Sequence, residues 1–262
     1  MIEKREPSPR PAKLPLWNRL RSNLLQAPPF LFATVFFGSL SLLVSRFDKQ
    51  GKLQHRLARR WAQASVAASG QKVKVIGLEN IPAGQAVFAA NHTSYMDTPV
   101  VFASLPFQFR ILAKKELWGL PFIGWYLDRS GQIPIDTANP RATLSSLGAG
   151  VRALRDGLNL FIFPEGGRTN DGDLLPFLNG AAYLALRAQV PLVPVALIGV
   201  FDLLPPHTRH FYLHPDKRSL KLIIGPPIPT TGLTPRDSET VTNQLRETIH
   251  QLIQQNTEPI RR

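Results

Sequence analysis

Apolar residues along this chain recur in two rhythms, and the places where one replaces the other outline its elements. Short, mainly apolar runs of strand length recur at 73–76, 86–90, 109–113, 132–135, 158–163, 192–198 and 220–224. Helical spacing separates several of them, most clearly between 135 and 158. There Asn139 can cap a helix, Pro140 suits its first position, Leu144, Leu147, Val151 and Leu154 line one face, and Gly157 ends it. A last helix starts near Thr234, where Thr-Pro-Arg-Asp resembles a capping box, and carries Val241, Leu245, Ile249, Leu252 and Ile253 on its apolar stripe. Strands alternating with helices predict an α/β fold, a mixed and mostly parallel sheet flanked by helices.

The N-terminal part follows neither rhythm. No charged residue stands between Ser22 and Ser45, and Phe30 to Val44 is strongly apolar. A spanning helix needs roughly 20 apolar residues, and Pro28-Pro29 is expected to break or start a helix, leaving about 16. Arg19 and Arg21 precede the apolar run; Arg46, Lys49 and Lys52 follow it. Basic residues on both flanks favour the cytoplasmic side for both ends, so a hairpin-like or interfacial anchor is expected rather than a single crossing. A buried core helix is the competing reading. Lys52 to Ala68 then places Leu53, Leu57 and Trp61 at helical spacing beside Arg56, Arg59 and Arg60, a basic amphipathic helix suited to an interface. The expected organisation is a basic, Pro-rich arm (1–21), a membrane-anchoring helical segment (22–70) and an α/β domain (71–262).

Composition narrows the partners. The net charge is +13, yet only 19% of the residues are charged and 44% are hydrophobic. The excess therefore comes from a shortage of acids rather than from dense basic tracts, which favours a lipid surface over nucleic acid. With no cysteine, a disulfide, a thiolate metal site and a cysteine nucleophile are all excluded. Neither a P-loop nor a G-x-S-x-G elbow is present, and the one G-x-G-x-x-A match, from Gly148 to Ala153, falls inside a helix rather than at a strand-to-helix turn.

Two polar clusters stand directly after apolar strands, where open sheets bind ligands. The first is Asn91-His92-Thr93-Ser94-Tyr95-Met96-Asp97. With Asp97 in the first turn of a helix and His92 in the loop before it, the carboxylate can hold one imidazole nitrogen and leave the other basic. Such an imidazole can take the proton of an attacking alcohol. A loop histidine beside a helix-capping aspartate satisfies the same spacing. The second cluster is Phe163-Pro164-Glu165-Gly166-Gly167-Arg168. Its glycines let a polar headgroup approach the backbone, Arg168 can grip phosphate, and Glu165 can orient Arg168 or a substrate hydroxyl. A tight turn with a surface ion pair is an equal reading of those residues alone.

Together, the clusters resemble the glycerolipid acyltransferase family, in particular the 1-acylglycerol-3-phosphate (lysophosphatidic acid) acyltransferases. Four blocks match in order across roughly half the chain: the H-x4-D motif at His92 and Asp97; Ala113-Lys114-Lys115-Glu116-Leu117 with Pro121-Phe122-Ile123-Gly124 and Gly131 to Asp136; the F-P-E-G turn from Phe163 to Arg168; and Val190-Pro191-Leu192-Val193-Pro194-Val195. The resemblance implies that His92 is the general base, that Asp97 orients it, and that Lys114, Glu165, Gly166 and Arg168 bind the acceptor. It further implies an acyl donor that is acyl-CoA or an acyl carrier protein, direct attack without an acyl-enzyme, no metal and no cofactor. The acceptor would be the sn-2 hydroxyl of 1-acylglycerol-3-phosphate and the product phosphatidic acid, made at the cytoplasmic face of a membrane among its lipids, with no nucleic-acid partner. Thr137 stands where the family usually has Arg, so Arg129 or Arg141 is a substitute phosphate ligand, or the acceptor is another lysolipid such as lyso-ornithine lipid. A catalytically silent lipid-binding protein on the same scaffold is the alternative outside enzymology.

Overall fold

The structure, a computed structural model, describes residues 16–136, 138–206, 208, 210–212 and 220–257. Most of the N-terminal basic arm and Thr137 lie outside the described residues. Among the described residues seven strands form one sheet: β1 (Val73–Ile76), β2 (Val87–Ala90), β3 (Phe109–Lys114), β4 (Ile133–Ile135), β5 (Asn159–Ile162), β6 (Leu192–Ile198) and β7 (Leu220–Ile224), in the spatial order β1-β7-β6-β2-β5-β3-β4. Every neighbouring pair is parallel except β6 with β7. β2 lies at the centre, Ala89 facing Ile162 of β5 on one side and Pro194 of β6 on the other.

Strand alternation divides the core into two layers. Val87 and Ala89 point to one face, with Leu160 and Ile162, where they meet α6 (Pro140–Arg155), α7 (Gly180–Ala188) and α8 (Ser238–Asn256) through Leu147, Val151, Leu184, Val241, Leu245 and Ile249. Phe88 and Ala90 point to the other, with Phe161, Val193 and Val195, against α4 (Asp97–Ser104) and α3 (Lys52–Ala68). Each fully buried side chain of this size contributes on the order of 1.5–3 kcal/mol. The cap of α6 is as expected: the Asn139 side chain accepts from the amides of Arg141 and Ala142. Before α8, Thr234 and Asp237 close a reciprocal capping box around a short 3-10 turn. The discarded glycine pattern has a packing cause, since a Cβ on Gly150 would lie 2.7 Å from Leu184 Cδ2.

Pro28 and Pro29 do not interrupt the N-terminal helix. α1 (Leu16–Arg21) and α2 (Ala27–Val44) are joined by a π turn, Ser22–Gln26, into one helix of 29 residues, Leu16–Val44. The wider turn, in which the Ala27 amide reaches Ser22 O, lets the two prolines occupy the first helical positions beyond it, where a missing N–H costs little. By length and composition this helix is able to cross a membrane, and only 11% of its most apolar window is buried against the protein. The expectation of about 16 usable residues therefore fails. α3 folds back along α2, tied by Trp61 Nε1 to Thr34 Oγ1 (3.0 Å), Ser41 Oγ to Gln54 Oε1 (3.3 Å) and Gln26 Nε2 to Ser69 O (2.8 Å). Its deepest face is also not the expected Leu53-Leu57-Trp61 stripe. Gln54, His55, Ala58, Ala62, Ser65 and Val66 are buried toward the core, whereas Leu53 is 39% exposed. The small Ala58, Ala62 and Ser65 let the helix approach closely, while Trp61 reaches α2 through Thr34.

Candidate active site

The site lies at the carboxyl ends of three adjacent strands: β2 leads into His92, β5 into Phe163 to Arg168, and β3 ends on Lys114. Asn91 fixes the first of these exits. Its side chain donates to Leu197 O (3.0 Å) and accepts from Leu197 N (2.8 Å), so the backbone leaving β2 is pinned to β6.

His92 and Asp97 meet as their spacing allows. Nδ1 of His92 is 2.8 Å from Asp97 Oδ2, and the same oxygen accepts from the amides of Thr93 (2.6 Å) and Ser94 (2.7 Å). Asp97 opens α4 and is fully buried, so a carboxylate there relies on these donors in place of water. With Oδ2 accepting, Nδ1 carries the proton and Nε2 is the basic nitrogen. Among the described residues no group bonds Nε2, and the His92 side chain is 12% exposed. The imidazole stacks on Phe163 at 4.0 Å between centroids and 17° between planes. Burial holds its pKa below the ordinary histidine value; Asp97 pulls it upward, while Arg168 and Lys114 push it down. The ring is therefore neutral near pH 7 and able to take a proton.

Glu165 does not hold Arg168. Its Oε1 accepts from the His92 amide (2.7 Å) and its Oε2 from the Leu175 amide (3.0 Å), which ties the end of β2 to the loop after β5. Burial raises this carboxyl to about 7, against the pull of those two amides. Arg168 is held instead by Ser94 O, which accepts from Nε at 3.1 Å, and by the Tyr95 ring, 4.3 Å below the guanidinium carbon. Among the described residues the terminal nitrogens of Arg168 make no hydrogen bond, so its fork remains for an anion. Thr169 N donates to His92 O (3.1 Å), a second tie between the two motifs.

Gly166 has φ of +67°, and a Cβ there would lie 3.0 Å from Leu178, so both conformation and space demand glycine. At Gly167 an added Cβ would lie 3.9 Å from Lys114 Nζ, which puts that ammonium beside the turn. His92, Asp97, Lys114, Glu165, Gly166 and Arg168 are thus brought together. Ser94 is not poised as a nucleophile, because its hydroxyl donates to Leu204 O (2.7 Å). Arg129 donates to Ser45 Oγ (3.1 Å) in the α2–α3 connection. The roles of Phe163, Tyr95 and Asn91 were not foreseen from the chain. The only signal for them was membership in the two clusters.

The chain is similar to known acyltransferases. An acyltransferase family model matches residues 72–198. The chain is 32% identical over 189 residues to the chloroplastic 1-acyl-sn-glycerol-3-phosphate acyltransferase BAT2 of Brassica napus, covering 71% of this chain and 53% of that protein. It is 31% identical over 186 residues to the human 1-acyl-sn-glycerol-3-phosphate acyltransferase alpha, covering 69% and 63%. It thus spans about half the length of the Brassica relative. The crystal structure of the 1-acyl-sn-glycerophosphate (LPA) acyltransferase PlsC from Thermotoga maritima superposes with a TM-score of 0.76 over 91% of this chain and 97% of that one. At 24% identity, that likeness is one of fold.

Proposed function

Because the chain belongs to the acyltransferase family through residues 72–198, we propose that it transfers a fatty acyl group from a thioester donor, acyl-CoA or acyl carrier protein, to the sn-2 hydroxyl of 1-acylglycerol-3-phosphate. One observation carries this reading: an imidazole whose Nδ1 is fixed by a buried carboxylate presents an Nε2 with no partner among the described residues, beside the turn that bears Arg168 and the β3 end that bears Lys114.

The chemistry follows from those positions. Nε2 of His92 takes the proton of the acceptor hydroxyl as its oxygen attacks the thioester carbonyl. The carbon–sulfur bond then breaks, and the departing thiolate recovers the proton from the imidazolium. Proton transfer through Nε2 typically contributes about 10²–10⁴ in rate, and Asp97, at 2.8 Å from Nδ1, stabilises the transient imidazolium. Arg168 offers its fork and Lys114 its point charge to the acceptor phosphate. Glu165 acts through the backbone, setting the position of His92 relative to the turn. The N-terminal helix holds the domain at the cytoplasmic face of a membrane, where lysolipid is available.

The test is purified protein in neutral micelles with labelled donor of either type and a panel of lysolipid acceptors. Formation of phosphatidic acid in preference to other products is expected. Exclusive acylation of a phosphate-free lysolipid, such as lyso-ornithine lipid, would reject the acceptor assignment. Absence of turnover with every acceptor would reject the enzymatic reading.

A further inference from the structure

On α3, Arg56, Arg59, Arg60 and Gln63 succeed one another at helical steps of three, one and three residues, so they share one face, directed away from the buried Ala58, Ala62, Ser65 and Val66. Together they line an open surface depression of about 290 Å³, ample for a phosphate group when a water occupies about 30 Å³. Among the described residues, none of the three arginines pairs with a carboxylate; their one bond is from Arg60 Nη1 to Gln63 Oε1, at 3.5 Å. Arg59 Nε is buried with no acceptor. Three neighbouring guanidinium groups repel one another, and an unsatisfied buried N–H adds to that cost. A bound anion relieves both.

We infer that this depression is a binding site for the phosphate of an anionic membrane phospholipid, separate from the groups around His92 that take the acceptor. The inference rests on the reading of α2 as a membrane anchor. α3 packs along α2 through Trp61 and Gln54, and α2 exposes Leu31, Phe32, Phe36 and Leu43. A lipid can therefore set its headgroup against the arginines of the same hairpin whose apolar side meets its chains. A planar guanidinium pair matches phosphate oxygens two at a time, which three lysines do not.

Vesicle flotation of the full chain tests this, with phosphatidylcholine alone and with an equal mixture of phosphatidylcholine and phosphatidylglycerol. The triple variant Arg56→Gln, Arg59→Gln, Arg60→Gln should float with neutral vesicles as the wild type does and lose about a hundredfold in affinity for the anionic mixture. Its transfer rate in neutral micelles should be unchanged, which also shows that it folds. The corresponding triple Lys variant should recover only part of the loss. Equal binding of wild type and the Gln variant to anionic vesicles would overturn the inference, as would full recovery by Lys, which would leave net charge as the whole effect. A raised KM for acyl-CoA with vesicle binding intact would also overturn it, by assigning the depression to the donor's phosphates. Failure of the wild type to float with any vesicle would overturn the anchor reading, and this inference with it.

Discussion

The end of the sheet and the N-terminal hairpin solve opposite problems. Around His92, polar groups are buried and most are matched: Asp97 Oδ2 has three donors, Glu165 spends both oxygens on amides, and Arg168 lies between a carbonyl and an aromatic face, while Asp97 Oδ1 and the Thr93 hydroxyl have no partner among the described residues. Along α2 the imbalance runs the other way, with Phe32 70% and Leu43 70% exposed. Water does not suit the second region and is largely excluded from the first. The contrast teaches that the fold divides its work: rigidity where a proton moves, and unsatisfied apolar surface where a bilayer can supply the missing contacts.

Substitutions in either region should therefore fail differently. The largest effect is expected from Asp97→Asn, which keeps the volume but turns an acceptor of three bonds into a group that can donate; kcat should fall by about 10³, with KM for the acceptor little changed, in a micellar transfer assay. Phe36→Asp, on the exposed side of α2, should leave that assay unaffected yet weaken vesicle flotation by about a hundredfold, since an aspartate within the bilayer costs about 2.5–3.5 kcal/mol. If it instead lowers micellar activity and leaves flotation intact, the division of labour is wrong. Arg168→Ala should raise the acceptor KM by about tenfold through loss of a charged hydrogen bond of about 1.5–3 kcal/mol, and Tyr95→Ala should raise it only a few-fold by releasing the guanidinium, with Tyr95→Phe close to wild type.

The remaining effect is one of stability. Glu165 is held at about 7 in the fold, above its ordinary 4.5. The folded state therefore retains this proton more tightly than the unfolded chain, so the group's contribution is present below pH 4.5 and declines as pH rises to about 7. Relative to Glu165→Gln, the wild type should lose stability across that window by up to about 1.4 kcal/mol per pH unit in chemical unfolding. A difference that stays constant from pH 5 to 7 would show that burial does not strain this carboxylate.

Much of this contrast could be read from the chain, for identifiable reasons. Strand β6 is a continuous apolar run, and β1 and β7 each carry one lysine, Lys74 and Lys221, within an otherwise apolar run, so their limits are local facts. The cap at Asn139 and the capping box at Thr234 likewise depend on neighbours within three residues. His92 and Asp97 are five apart, and the turn between them is local. What stayed hidden is contact between distant segments: the tie from Glu165 to the His92 amide, Arg168 over Tyr95, and the stacking of Phe163 on the imidazole. The continuous helix through Pro28-Pro29 was missed because a local rule about proline held only for a regular α turn, and the chain supplies a π turn instead.

The central claim is that Nε2 of His92 removes the proton from the acceptor hydroxyl. Its most direct test is the pH dependence of kcat/KM for transfer to 1-acylglycerol-3-phosphate, measured for the wild type and for His92→Ala of equal thermal stability. The wild type should show an acid limb with a midpoint below the ordinary histidine value of 6.5, set by burial of the ring, and His92→Ala should lose about 10²–10⁴ in rate together with that limb. A His92→Ala protein that keeps both the rate and the acid limb would contradict the account.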